Sequence, residues 1–174
     1  SNPTTTANFA FDDDDAGQTS DDQISAESPV INLTAAHTAG EQIVRVSAQH
    51  TYRYLAPDDV LRFEYWNADS STWIAWGPNL PGNNTTVADA FCTPAKTLYT
   101  SSDLDISGFT ATQLSGFKYR IFYSDGLTSQ EWNWGFCFDS PTIVSSAAPI
   151  VIPGCVSNPT PADATSISAV EDIF

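Results

Sequence analysis

Four adjacent carboxylates, Asp12, Asp13, Asp14 and Asp15, followed by Ala16-Gly17 and then by Asp21 and Asp22, are the densest chemical signal in this chain. Side-by-side carboxylates repel one another unless a cation lies between them. Hard oxygen ligands beside a glycine turn suit Ca²⁺, which takes about six to eight oxygens. As a helix-loop-helix calcium loop the run departs from pattern, because Ala16 and Gln23 stand where Asp or Asn and the bidentate Glu belong. The expectation is a non-helical calcium site completed from elsewhere in the chain, with a plain solvated acidic turn as the alternative.

A second chemistry comes from tryptophans at positions 66, 73, 76, 132 and 134. Trp73, Trp76, Trp132 and Trp134 are candidates for a glycan-stacking platform, with Asn133 supplying an amide. Trp132 and Trp134 share parity with Phe136 and Phe138, which also gives them a place in a core; of Trp73 and Trp76, opposite in parity, one is expected to be exposed. His37 and His50 belong to no His-Glu-x-x-His motif, and neither Cys-x-x-Cys nor Gly-x-Ser-x-Gly occurs. No two of the glutamates 27, 41, 64, 131 and 171 have the short same-strand spacing that would place an acid and a base on one face. The chain is therefore expected not to be an enzyme.

Composition narrows the partners. Among 174 residues, 21 acidic side chains face 6 basic ones, giving a net charge of -15, while 41% of residues are apolar and 12% aromatic. Such a surface repels phosphate backbones and anionic headgroups, so neither nucleic-acid binding nor membrane insertion is expected. No apolar window approaches a spanning helix. Methionine is absent, position 1 included, which points to a processed product or a segment of something longer. Cys92, Cys137 and Cys155 fit an exported protein with one disulfide and one thiol left over; three pairings are open, and a wholly reduced set is the alternative. Asn32, Asn83 and Asn84 each begin an N-glycosylation triplet.

The elements that would position these groups read at period two. Residues 44–54 alternate Val44, Val46, Ala48, His50, Tyr52 and Tyr54 with polar side chains. Residues 60–66 and 72–76 form a hairpin across Asn67-Ala68-Asp69-Ser70-Ser71. Residues 117–123 and 132–139 alternate likewise, and residues 28–33 read as a short strand opened by Pro29. No amphipathic helix of three turns is found. The expected fold is all-β: an antiparallel two-sheet sandwich over residues 9–148, with arms at 1–8 and 149–174.

Several motifs in their order resemble the MAM-like, concanavalin-like jelly-roll domains of bacterial extracellular surface proteins. They are Ser28-Pro29-Val30-Ile31-Asn32-Leu33-Thr34, Asp69-Ser70-Ser71-Thr72-Trp73, Leu104-Asp105-Ile106-Ser107 with Phe117-Lys118-Tyr119-Arg120-Ile121, and Trp134-Gly135-Phe136-Cys137-Phe138-Asp139 through Ile143. The resemblance implies a jelly-roll binding or spacer module at the cell surface. It also implies a structural calcium held between the acidic residues near the first strand, here Asp12, Asp13, Asp14 and Asp15, and the Asp of the last, here Asp139.

Both ends carry material for pairing with a neighbour's sheet edge. At the start this is Asn8-Phe9-Ala10-Phe11; at the end it is Ile150, Val151 and Ile152 and then Ile167, Val170, Ile173 and Phe174. The functional expectation is an extracellular structural subunit, of a filament, a pilus-like fibre or a surface adhesin, that associates with itself or with neighbouring surface-protein domains by terminal strand exchange. The alternative is a calcium-stabilised carbohydrate-binding module of a secreted multidomain protein.

Overall fold

The computed structural model describes residues 9–12, 23–53, 59–82, 92, 97–126 and 135–148. Along them run β1 (Phe9–Phe11), β2 (Gln23–Glu27), α1 (Thr34–Thr38), β3 (Ile43–Tyr52), β4 (Val60–Asn67), β5 (Thr72–Ala75), β6 (Thr97–Thr100), β7 (Leu104–Asp105), α2 (Ala111–Ser115), β8 (Tyr119–Ser124) and β9 (Phe136–Ser146). The arms expected at 1–8 and 149–174 lie outside the described residues.

Two antiparallel sheets form. The first has the order β1-β9-β3-β6, with β7 also on β3, and the second the order β2-β8-β4-β5. With the two-residue β7 set aside, the pairing is nested: β4 with β5, β3 with β6, β2 with β8 and β1 with β9. The chain is thus one long hairpin, with its tip at β4–β5 and its root at β1/β9, rolled so that successive pairs fall in alternate sheets. That is the jelly roll, and its double Greek key follows from the rolling.

Period-two alternation decides which side chains fill the space between the sheets. Val44, Val46, Ala48 and Tyr52 of β3 meet Leu61 and Phe63 of β4, Ile121 and Tyr123 of β8 and Phe136 of β9, all essentially without exposure. Phe63 is the centre of an aromatic cluster, with ring centroids 6.0 Å from Tyr99, 6.5 Å from Tyr119 and 6.0 Å from Phe138. The hairpin forms as its turn residues predict. Asn67 Oδ1 accepts from the amides of Asp69 (3.0 Å) and Ser70 (3.2 Å), and Ser71 takes the left-handed conformation, φ 52°, that usually falls to glycine.

Two segments depart from expectation. In residues 28–33 only Ile31 bridges Phe117; Pro29 has no amide to extend the ladder, and Asn32 Oδ1 accepts from Thr34 N (3.0 Å) to start α1 instead. In β9, Cys137 and Asp139 are buried along with Phe136 and Phe138, where alternation leaves them outside. Cys137 is bonded to Cys92, Cα to Cα 5.6 Å, and Thr51, opposite Cys137, is buried too. This settles the pairing that the sequence leaves open, and Cys155 lies outside the described residues.

β9 also runs past Pro141 through a bulge. Ser47 faces Thr142 but Gln49 faces Asp139, so β9 spends one residue more than β3 over this stretch. Ser140, at φ 51°, absorbs it. The inward parity switches from Phe136 and Phe138 to Ile143, which packs on the core.

Candidate functional site

The described residues offer two places with geometry beyond what the core requires. The first is a groove at the root of the roll. β1 pairs only with Phe136, Cys137 and Phe138, so along 139–146 the β1-side edge of β9 carries no partner strand among the described residues. Beside it, the bulge and the β2 edge of the opposite sheet enclose a cavity of about 270 Å³. Phe9, Tyr119 and Phe138 give it apolar walls, while Glu27, Asp139 and Ser140 give it a polar rim. Ser140 Oγ donates to Asp139 Oδ1 (3.0 Å), and burial pushes the Tyr119 phenol above its ordinary pKa.

The second place is the outward face of the second sheet. Register stacks Lys118, Trp66 and Trp73 in one row, Glu27, Arg120, Glu64 and Ala75 in the next, and Ser25, Phe122 and Arg62 in a third. Glu64 is the anchor, its side chain only 4% exposed although it points away from the core. Arg62 donates to its Oε1 from Nε (2.8 Å) and Nη2 (2.6 Å); Arg120 donates to its Oε2 from Nε (2.7 Å), with its own Nη2 2.6 Å away. The guanidiniums lie over aromatic rings, Arg120 at 4.5 Å from the Trp73 centroid and 4.9 Å from Phe122, and Arg62 at 5.4 Å from Phe122. Lys118 Nζ sits 5.0 Å from the Trp66 ring and 5.1 Å from Trp73, and reaches Glu27 at 3.2 Å. Each cation is thus held by an acid and a π-face at once.

The sequence-derived candidates scatter. Asp12 leaves β1 just beyond the Phe11–Phe136 pair, whereas Asp139 lies past Phe138 at the other end of that pairing. Asp13, Asp14 and Asp15 lie outside the described residues, and no group of three metal-ligating side chains is gathered among the described ones. The described residues therefore do not assemble a donor set for calcium. Trp76 is corrected from a glycan candidate to a core residue: it is 3% exposed, edge-on to Phe117, and its Nε1 donates to Ser102 O at 2.7 Å. Trp73, on the opposite parity, is half-buried beside Trp66, their centroids 5.3 Å apart. Trp132, Trp134 and the arm residues Ile150, Val151, Ile152, Ile167, Val170, Ile173 and Phe174 fall outside the described residues.

No family model and no curated protein matches this chain. The MAM-like resemblance therefore rests on its motifs alone.

His50 is the one buried histidine among the described residues. Its Nδ1 lies 3.2 Å from Thr97 O and its Nε2 3.4 Å from Pro81 O, with Tyr99 edge-on at 5.8 Å. Burial lowers its pKa, and the two carbonyls only partly oppose the shift. The ring ties the β6 backbone to the loop at Pro81. The sequence missed Trp66 and the cation grid, because such a grid exists only once register aligns three strands. The signal that could have found it is polar-face alternation read jointly, with Lys118, Arg120 and Phe122 on one strand and Arg62, Glu64 and Trp66 on another.

Proposed function

We propose that this chain is a non-enzymatic structural subunit of an extracellular filament, pilus-like fibre or surface adhesin, and that it assembles by strand addition at the root of its jelly roll. The observation that carries this reading is the short first strand. Among the described residues β1 pairs with three residues of the eleven-residue β9, and no described strand lies along the β1 side of residues 140–146, beside an apolar-walled groove. An edge strand with open backbone groups is a template for another segment, and side-chain pockets next to it supply specificity. The apolar stretch Ile150-Val151-Ile152 of a neighbouring copy is the proposed donor. A disulfide between Cys92 and Cys137 supports export to an oxidising compartment.

Light scattering after size exclusion tests the reading on the full chain and on a variant lacking residues 150–174. A polydisperse assembly that collapses to a folded monomer on deletion supports it. A sharp 18.8 kDa monomer for the full chain, or an assembly that survives the deletion, overturns it.

A further inference from the structure

The outward face of the second sheet sets a charge problem that self-assembly must solve. Two subunits of net charge -15 repel unless unlike patches meet. Of the chain's six cations, three, Arg62, Lys118 and Arg120, lie on this one face, where among the described residues they meet two carboxylates, Glu27 and Glu64, an excess of one positive charge on a strongly acidic molecule. Of the remaining described cations, Arg45 is already bound to Asp103 at the first sheet.

We infer that this face is a docking surface for a second copy of the same chain, and that the occupant is that copy's acidic run, Asp12, Asp13, Asp14 and Asp15. The inference rests on the self-assembly reading above. Proximity supports it. Arg120 lies on β8 and Lys118 two residues before it, just ahead of the strand, while the run places four carboxylates in unbroken sequence. Pre-organisation supports it as well: Glu64 fixes both guanidiniums and the aromatic rings flank them, so little side-chain entropy remains to be lost on contact. A guanidinium has more N–H donors than the one or two that each arginine turns to Glu64. A neutral sugar could stack on Trp66 and Trp73 but would leave the excess positive charge of the face unmatched, which an acidic run does not.

The test is titration of the full chain with a synthetic peptide of residues 8–23, followed by tryptophan fluorescence, since Trp66 and Trp73 sit under Lys118. The comparisons are the Lys118→Glu chain, which leaves the Glu64 pairs intact, a peptide with all four aspartates of the run changed to Asn, and an oligouronate. The expected result is a saturable change, weakened at least about tenfold by either alteration and by high salt. No response to the peptide overturns the inference, as does an equal response to the Asn peptide or a response to the oligouronate alone. The strand-addition reading is judged separately on the 150–174 deletion. An assembly lost on deletion while the peptide fails to bind sinks this inference and leaves that reading intact.

Discussion

Replacing Glu64 by Gln removes one charge and almost no volume, yet it should cost more than any other single conservative change on the surface of the second sheet. The carboxylate accepts three hydrogen bonds from Arg62 and Arg120 and lies 2.6 Å from the Arg120 Nη2. An amide can keep its oxygen toward one arginine only by turning its NH₂ toward the other, which sets donor against donor. Hydrogen bonds to charged groups contribute ~1.5–3 kcal/mol each, so losing one arginine's share costs about 3 kcal/mol. The side chains of Arg62 and Arg120 are 33% and 17% exposed, and water recovers part of that loss, which brings the figure to about 2 kcal/mol. Urea unfolding should report this as a fall in midpoint of roughly 1 M at unchanged slope. A Glu64→Gln/Arg62→Ala double variant should show coupling, because both changes act on one network. A change below about 0.5 kcal/mol with no coupling would mean that the network is surface decoration, and the pre-organisation argued for the docking face would fall with it.

Three further outcomes follow from the core. Breaking the Cys92–Cys137 bond, which closes a loop of 45 residues, should lower unfolding stability by ~4 kcal/mol on the chain-entropy model, measured as the difference between Cys92→Ser/Cys137→Ser and the parent. Phe63→Ala opens the centre of the aromatic cluster and should cost about 3–5 kcal/mol in the same assay, with Phe63→Leu well below that. Because burial depresses the His50 pKa below its ordinary 6.5, the unfolded chain takes up that proton first. Stability from this group is therefore complete above pH 6.5 and declines as the pH falls from there toward the lower folded value. A His50→Gln chain should lack that part of the pH profile, and a profile identical to the parent's would refute the assignment.

Much of the sandwich was legible because its strands bury one face and expose the other. β3, β4, β5 and β8 fall within two residues of where alternation places them, and the turn residues locate the β4–β5 hairpin. The exceptions have physical causes. β2 is five residues long, and although Gln23, Ser25 and Glu27 alternate with Ile24 and Ala26, two apolar positions, one of them alanine, are too short and too weak a pattern to mark a strand. Residues 28–33 look extended because proline and β-branched residues favour that conformation, but a ladder needs successive amides; the backbone bonds of Ser28, Ile31 and Leu33 are isolated, and only Ile31 makes a bridge. β9 hides its full length behind Ser140-Pro141, where the bulge flips parity. The candidate site was less legible still. A tryptophan pair, a lysine and two arginines on three strands acquire a meaning only through cross-strand register, which no single strand's periodicity contains.

Nesting sets an order of assembly. The innermost pair, Asn67 with Thr72, closes a short loop, and each pair outward spans more chain until Phe9 meets Phe138. Loop-closure entropy favours zipping from the tip, so the root, where β1 meets β9, closes last. Amide exchange should find β1 among the least protected elements, opening well below the global unfolding free energy. In a newly made chain the interval before β1 docks exposes the β9 edge, and a neighbour's segment arriving then competes with a strand not yet in place rather than with a finished sheet. The timing of folding, as much as the finished surface, would then decide whether this protein stays single or joins another.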